Sequence, residues 1–170
     1  MKTLKDKEKD QAREFLEEAV RASKSSRCLK RPRGAVIVLD GNIIGKGWNA
    51  PADEHICKEC LRDKMKPKTF STFNTEPCYS VHAEQRAIID AFKSGNSDLS
   101  GSKMYFARSD RDGNYTPCDD GPSCTICSKL ILESGVESFI YETYEEGIVG
   151  LSANEFNKWS MDYVEGLNNK

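Results

Sequence analysis

The run GAVIVLDGNIIGKGW, Gly34 to Trp48, constrains the fold more than any other part of the chain. Two β-rich stretches flank Asp40-Gly41, and a tight primed turn needs positive φ, which that dipeptide tolerates. The run therefore reads as strand, turn, strand. Upstream, from Lys7 to about Ser23, apolar Ala12, Phe15, Leu16, Ala19 and Val20 recur at helical spacing among charges, the pattern of an amphipathic helix. Downstream, residues 51–77 are polar with proline and no periodicity, a long loop of the kind that carries function or a metal. VHAEQRAIIDAFKSG restores the helical period through Ala83, Ala87, Ile88 and Ala91 and ends at Gly95. KMYFAR is then a strand, CSKLILESG a helix stopped by Gly135, and VESFIYE another strand. Ser152 with Glu155 makes a capping box for a last helix whose apolar face is Phe156, Trp159, Tyr163 and Leu167. A hairpin followed by alternating helices and strands predicts an α/β protein, a three-layer α/β/α sandwich with a mixed sheet.

A chain of 170 residues, 38% hydrophobic and 31% charged, buries one sizeable core, so a single domain over 1–170 is expected. No apolar run approaches the roughly 18 residues of a membrane span, and MKTLKDKEKD is charged where a signal peptide is apolar. These features predict a cytoplasmic protein with no membrane partner. In a reducing compartment seven cysteines, an odd number, suit metal ligation or burial better than a disulfide framework. A net charge of −2 and a pI near 5.8 provide no global field to draw the chain onto nucleic acid. The one local basic run is KSSRCLKRPR, in which Lys24, Arg27, Lys30, Arg31 and Arg33 occur without an acid. It is either a solvated loop or a phosphate contact.

His82-Ala83-Glu84 begins one predicted helix and Cys124-Thr125-Ile126-Cys127 begins another. On a helix a two-residue offset turns side chains about 200° apart, so His82 and Glu84 should have different tasks. One imidazole and two thiolates fill three positions of a tetrahedral Zn²⁺ and leave the fourth open, the catalytic arrangement rather than the structural one. A carboxylate beside that open position can take a proton from water and hand it on.

H-x-E with C-x-x-C is the signature of zinc nucleobase deaminases, and the chain resembles the cytidine and deoxycytidylate deaminase superfamily, closest to its deoxycytidylate branch. SRCLKRPRGAVIVLDGNIIGKGWNAP is similar to that branch's opening, and HAEQRAI with CSKLILESGV to its two zinc helices. The likeness runs from about Ser26 to Tyr144. It implies a cytidine deaminase-like fold, a catalytic zinc on His82, Cys124 and Cys127, and proton transfer by Glu84. It also implies substrate contacts from Asn49 and Ala83, with Lys30 and Arg31 toward a phosphate. The implied reaction is hydrolytic deamination of a free cytosine nucleotide, dCMP to dUMP with ammonia release, by an enzyme that forms homo-oligomers. Cys28 and the basic run favour that branch, and the acidic pI disfavours long polyanions. A deaminase of bases in tRNA or single-stranded DNA and a non-catalytic zinc-stabilised module are the alternatives. Retention of Glu84 argues against the module.

Two departures from the pattern stand out. In TPCDDGPSCTIC the family's proline before the first zinc cysteine is replaced by Ser123, with Pro122 one place earlier. An insertion over 108–121, RSDRDGNYTPCDDG, separates the strand from the cysteines and leaves Cys118 outside the metal set. The same resemblance implies a second, structural zinc on Cys28, Cys57, Cys60 and Cys78, with His55 in reserve. The alternative is unligated thiols in a loop.

Overall fold

The computed structural model describes residues 1–53, 57–64, 78–118 and 124–168. His55, most of the 51–77 loop, and Gly121, Pro122 and Ser123 lie outside the described residues. Two elements precede the hairpin, β1 (Lys2–Thr3) and α1 (Asp6–Ser23). The hairpin is β2 (Arg33–Leu39) and β3 (Asn42–Trp48), and its turn residues Asp40 and Gly41 take φ of 50° and 78° as a primed turn requires. Next come β4 (Ala50–Pro51), α2 (Leu61–Lys64), β5 (Ser80–Val81) and α3 (Ala83–Lys93). The chain continues through β6 (Lys103–Ser109), β7 (Tyr115–Thr116), α4 (Thr125–Glu133), β8 (Ser138–Thr143), β9 (Gly147–Ser152) and α5 (Ala153–Asn168).

The main sheet has the order β1-β9-β8-β6-β2-β3, with β7 folded back on β6. β6 and β8 are parallel and the other neighbours antiparallel, so the sheet is mixed as expected. The strand period of two splits the core into two faces. Val36, Val38, Tyr105, Ala107, Ile140 and Ile148 pack with Ala12, Leu16 and Ala19 of α1. Ala35, Ile37, Met104, Phe106, Phe139 and Tyr141 pack with Ala83, Ala87 and Ile88 of α3, Ile131 of α4 and Phe156 of α5. One helix on one face and three on the other make the three layers. Each fully buried Ile or Phe in these clusters contributes roughly 1.5–3 kcal/mol over leaving it exposed.

Glycine decides how closely α3 approaches the sheet. A Cβ on Gly47 would sit 2.1 Å from the Ala83 carbonyl oxygen, and one on Gly45 2.3 Å from that of Ala87. The Gly-Lys-Gly of β3 thus lets the start of α3 lie directly on the strand, and that start carries the H-x-E sequence.

Some expectations change. β9 and β1 were not foreseen, nor was β7 within the insertion, where Arg108 and Ser109 of β6 pair with Thr116 and Tyr115. The capping box forms, with the Glu155 amide donating to Ser152 Oγ at 3.2 Å and the Ser152 amide to Glu155 Oε2 at 2.8 Å. The apolar face assigned to α5 is only partly inward: Phe156 is buried, whereas Trp159 and Tyr163 are exposed. Ala153 and Ser160 take the inward places instead, because α5 packs along α4 rather than across the sheet.

Candidate metal centre and active site

β5 pairs with β4 in a separate two-stranded ladder and delivers the chain to His82. His82 is the N-cap of α3, with extended φ −71° and ψ 156°, and its amide donates to Gln85 Oε1 at 3.0 Å. His82 therefore lies outside the helix, and the expected 200° helical offset does not apply between it and Glu84. The separation itself survives. Cys124 is likewise the N-cap of α4, and its Sγ accepts from the Cys127 amide at 3.4 Å. Two helix N-termini thus converge, and their unpaired N–H groups and dipoles favour thiolate over thiol.

His82 Nδ1 lies 3.1 Å from Cys127 Sγ and 3.4 Å from Cys124 Sγ, and the two sulfurs are 3.1 Å apart. All three ligand atoms fall within 4.8 Å of one another, close enough for one ion to touch each. One ring nitrogen and two sulfurs suit zinc, with one tetrahedral position left open. Glu84 is outside this donor group. It is 3% exposed, and its Oε2 is buried without a hydrogen-bond partner. That orphaned oxygen is what a zinc site with proton-transfer chemistry needs beside it, so the residues present fit the ion.

The electrostatics agree with this geometry. Burial pushes the Glu84 carboxyl above its usual range. The two thiols share one proton: hydrogen bonding with Cys127, and then with His82, holds Cys124 down to about 4, while Cys127 is pushed up by its bond with Cys124 and by burial. His82 is raised, chiefly by its hydrogen bond with Cys124. A divalent cation among these atoms would replace those shared protons.

The other anticipated residues are placed as follows. Asn49 is buried; its Oδ1 accepts from the Arg33 amide at 2.8 Å and Ser26 Oγ at 2.7 Å, and its Nδ2 donates to the Arg31 carbonyl at 2.9 Å. The second Nδ2 hydrogen has no partner among the described residues. Ala83 is the buried first residue of α3. Lys30 pairs with Asp63, whereas Arg31 is exposed. Cys118 is buried in the core cluster beneath α3 and α4, and its amide donates to the Glu142 carbonyl at 2.8 Å. Cys28, Cys57, Cys60 and Cys78 are all half-buried and near enough for the other three to bear on the protonation of Cys57. They do not form a donor group as tight as that of His82, Cys124 and Cys127.

Sequence reading undervalued Arg33, treating it only as part of a basic run. Its guanidinium lies 5.8 Å over the Phe106 ring, and its charge bears on His82, Glu84 and Cys127. Strand parity was the available signal: Arg33 precedes Ala35 by two on the face that also carries Ile37.

Comparison with known proteins gives the same reading. Residues 9–143 match the family model for the cytidine and deoxycytidylate deaminase zinc-binding region. The deoxycytidylate deaminase of Mycobacterium phage D29 is 30% identical over 131 residues, covering 75% of this chain and 90% of that protein. That of Enterobacteria phage T4 is 28% identical over 167 residues, with 79% of each covered. The dCMP deaminase of cyanophage S-TIM5, solved with dCMP and dUMP, superposes with a TM-score of 0.54 at 25% identity, covering 80% of this chain and 82% of that one. Donor cluster, neighbouring carboxylate and a match spanning most of the chain lead to one conclusion: this protein belongs to the zinc-dependent cytidine and deoxycytidylate deaminase family.

Proposed function

We propose that the chain catalyses hydrolytic deamination of a free cytosine nucleotide, dCMP, giving dUMP and ammonia. The observation that carries this is the unpartnered, buried Glu84 Oε2 beside the His82, Cys124 and Cys127 donors. Relatives that are deoxycytidylate deaminases support the choice of substrate. His82, Cys124 and Cys127 would hold zinc, which when bound acts as a Lewis acid that makes water nucleophilic near neutral pH. Glu84 Oε2 takes a proton from the attacking water. Burial raises the proton affinity of this carboxyl, which suits it to carry that proton to the ring nitrogen and then to carry the second one, from the hydroxyl left on the ring carbon, to the amino group that departs as ammonia.

Ala83 at the first position of α3 presents a backbone N–H that the helix does not use, available to the substrate. The remaining Nδ2 hydrogen of Asn49 is available to a sugar oxygen, and Arg31, with Lys30 behind it, to the phosphate. A second, structural zinc on Cys28, Cys57, Cys60 and Cys78 is part of the proposal, supported by the electrostatic coupling of Cys57 to the other three. Self-association is also proposed, supported by exposed Ile89 and Phe92 on α3 and Ile126 and Leu132 on α4. No helix among the described residues is long and apolar enough to cross a membrane, which is compatible with a cytoplasmic enzyme.

An ammonia-release assay over cytosine, adenine and guanine nucleosides and nucleotides tests the substrate. The highest kcat/KM should fall on dCMP. Release from purine compounds alone would refute the cytosine assignment.

A further inference from the structure

Ala35 and Ile37 of β2 join the cluster under α3 and α4, while Val36 and Val38 join the one under α1. Arg33 therefore faces the metal helices. The strand pairing agrees, since Phe106, opposite Ala35 on β6, belongs to the same cluster and carries the guanidinium over its ring. Arg33 is half-buried, and its Nε is buried with no partner among the described residues. Nearby cations are engaged: Arg27 donates to the Pro51 and Asp53 carbonyls, Arg111 to that of Leu29, Arg108 to that of Pro117, and Lys30 pairs with Asp63. Arg33 has no such acceptor among the described residues.

A buried donor left open is costly, and so is a buried acceptor. This site has one of each, Arg33 Nε–H and Glu84 Oε2, and neither satisfies the other. A single ligand with a donor edge for Glu84 and a separate acceptor for Arg33 would satisfy both. The polar edge of cytosine carries a ring nitrogen, an amino group and one carbonyl oxygen. Glu84 serves the first two and the open Ala83 N–H can take one lone pair of the carbonyl oxygen, so the second lone pair is the acceptor left over. Stacking on Phe106 restrains the guanidinium and limits its swing toward solvent and the phosphate end.

We propose that Arg33 is a specificity-determining residue of this active site, its Nε–H donating to the 2-carbonyl oxygen of the cytosine ring while the amino edge of the same ring faces Glu84. This rests on the cytosine reading above. The 2-carbonyl is unchanged between substrate and product, so the contact is uniform binding: it lowers KM, leaves kcat nearly alone and serves dUMP as well as dCMP.

The test uses zinc-loaded enzyme and the variant Arg33→Met. KM should rise about 10- to 100-fold for dCMP and by the same factor for deoxycytidine, the inhibition constant of dUMP should rise in parallel, and kcat should stay within a few-fold. A rise confined to dCMP would place Arg33 on the phosphate and overturn the proposal. A fall in kcat at unchanged KM would make it a supporter of Glu84 and overturn it equally. Should Arg33→Met fail to fold, 2-thio-dCMP with the unmodified enzyme serves instead, because sulfur accepts hydrogen bonds poorly: a KM about 10-fold above that of dCMP supports the contact, and an equal KM overturns it. Wild-type enzyme inert on every cytosine compound would remove the proposed function and this inference together. Normal turnover with an unaffected Arg33→Met would remove only the inference.

Discussion

His82, Cys124 and Cys127 stand at the N-termini of two helices whose inner faces are buried, whereas Cys28, Cys57, Cys60 and Cys78 are half-exposed and stand outside helices and strands. In the first group the donors already lie 3.1–3.4 Å apart, held by the packing of α3 and α4 against the sheet. In the second, Cys57, Cys60 and Leu61 are only half-buried and Lys58, Glu59 and Asp63 are exposed, and the helix there spans Leu61–Lys64. The difference is one of cause and effect. Apolar burial positions the donors of the catalytic centre; at the four cysteines a metal would have to supply the ordering that burial does not.

The largest expected effect breaks the catalytic region from within. Glu84→Ala leaves every ligand of that centre, so zinc content should persist while turnover falls at least 10²- to 10⁴-fold, the range of general acid–base assistance. His82→Ala should lose both activity and the catalytic ion. Undiminished turnover by Glu84→Ala would end the mechanism, and loss of zinc from it would make Glu84 a ligand.

Next comes the four-cysteine region. Metal analysis of chelator-free protein should give about two zinc ions per chain and, after Cys57→Ser with Cys60→Ser, about one. Because the proposed second zinc would tie these cysteines together, the double variant should melt several degrees lower yet keep kcat at low temperature. A single ion in the unmodified protein would reduce the second region to unligated thiols.

The basic run between the two regions offers a smaller effect. Arg31→Ala should raise KM for dCMP about 10-fold more than for deoxycytidine, the loss of one charge-assisted hydrogen bond. Lys30→Ala should do less, because Lys30 spends its charge on Asp63. Equal effects on nucleotide and nucleoside would make the run a solvated surface.

The smallest effect concerns stability against pH. In metal-free protein the folded Glu84 carboxyl is raised by burial, so the native state holds its proton more tightly than the unfolded chain. Stability is then lost as pH rises from the ordinary carboxylate range toward the raised folded value. Glu84→Gln removes that loss. Its melting temperature should exceed wild type by a few degrees, with the gap opening as pH rises through that window. A gap independent of pH would mean that Glu84 stays ionised when folded.

Much of this was legible locally. Asp40-Gly41 forces its turn by backbone conformation, Ser152 and Glu155 cap α5 by reaching three residues, and Gly135, at φ 84°, ends α4; each acts within a few residues of itself. Likewise the one-turn spacing of Cys124 and Cys127 made them a pair before any fold was known. β9 was not legible, because GIVGLS carries two glycines and becomes a strand only by pairing with β8 along its whole length. Trp159 and Tyr163 looked like core and are exposed, since helical period names a face without saying which neighbour covers it.

Sequence alone determined which residues could form the centre: one histidine, one carboxylate and two cysteines, in chemistry and in local spacing. Only the tertiary structure decided that residues 82 and 124 would meet, that Gly45 and Gly47 would let α3 down onto β3, and that Arg33 would point at Glu84's side of the sheet. The reason is topological. α4 is the crossover between parallel strands β6 and β8, and such crossovers are almost always right-handed, which puts α4 on the same face as α3 and aims both N-termini at one point. That handedness belongs to the assembled sheet, and no window of residues along the chain contains it.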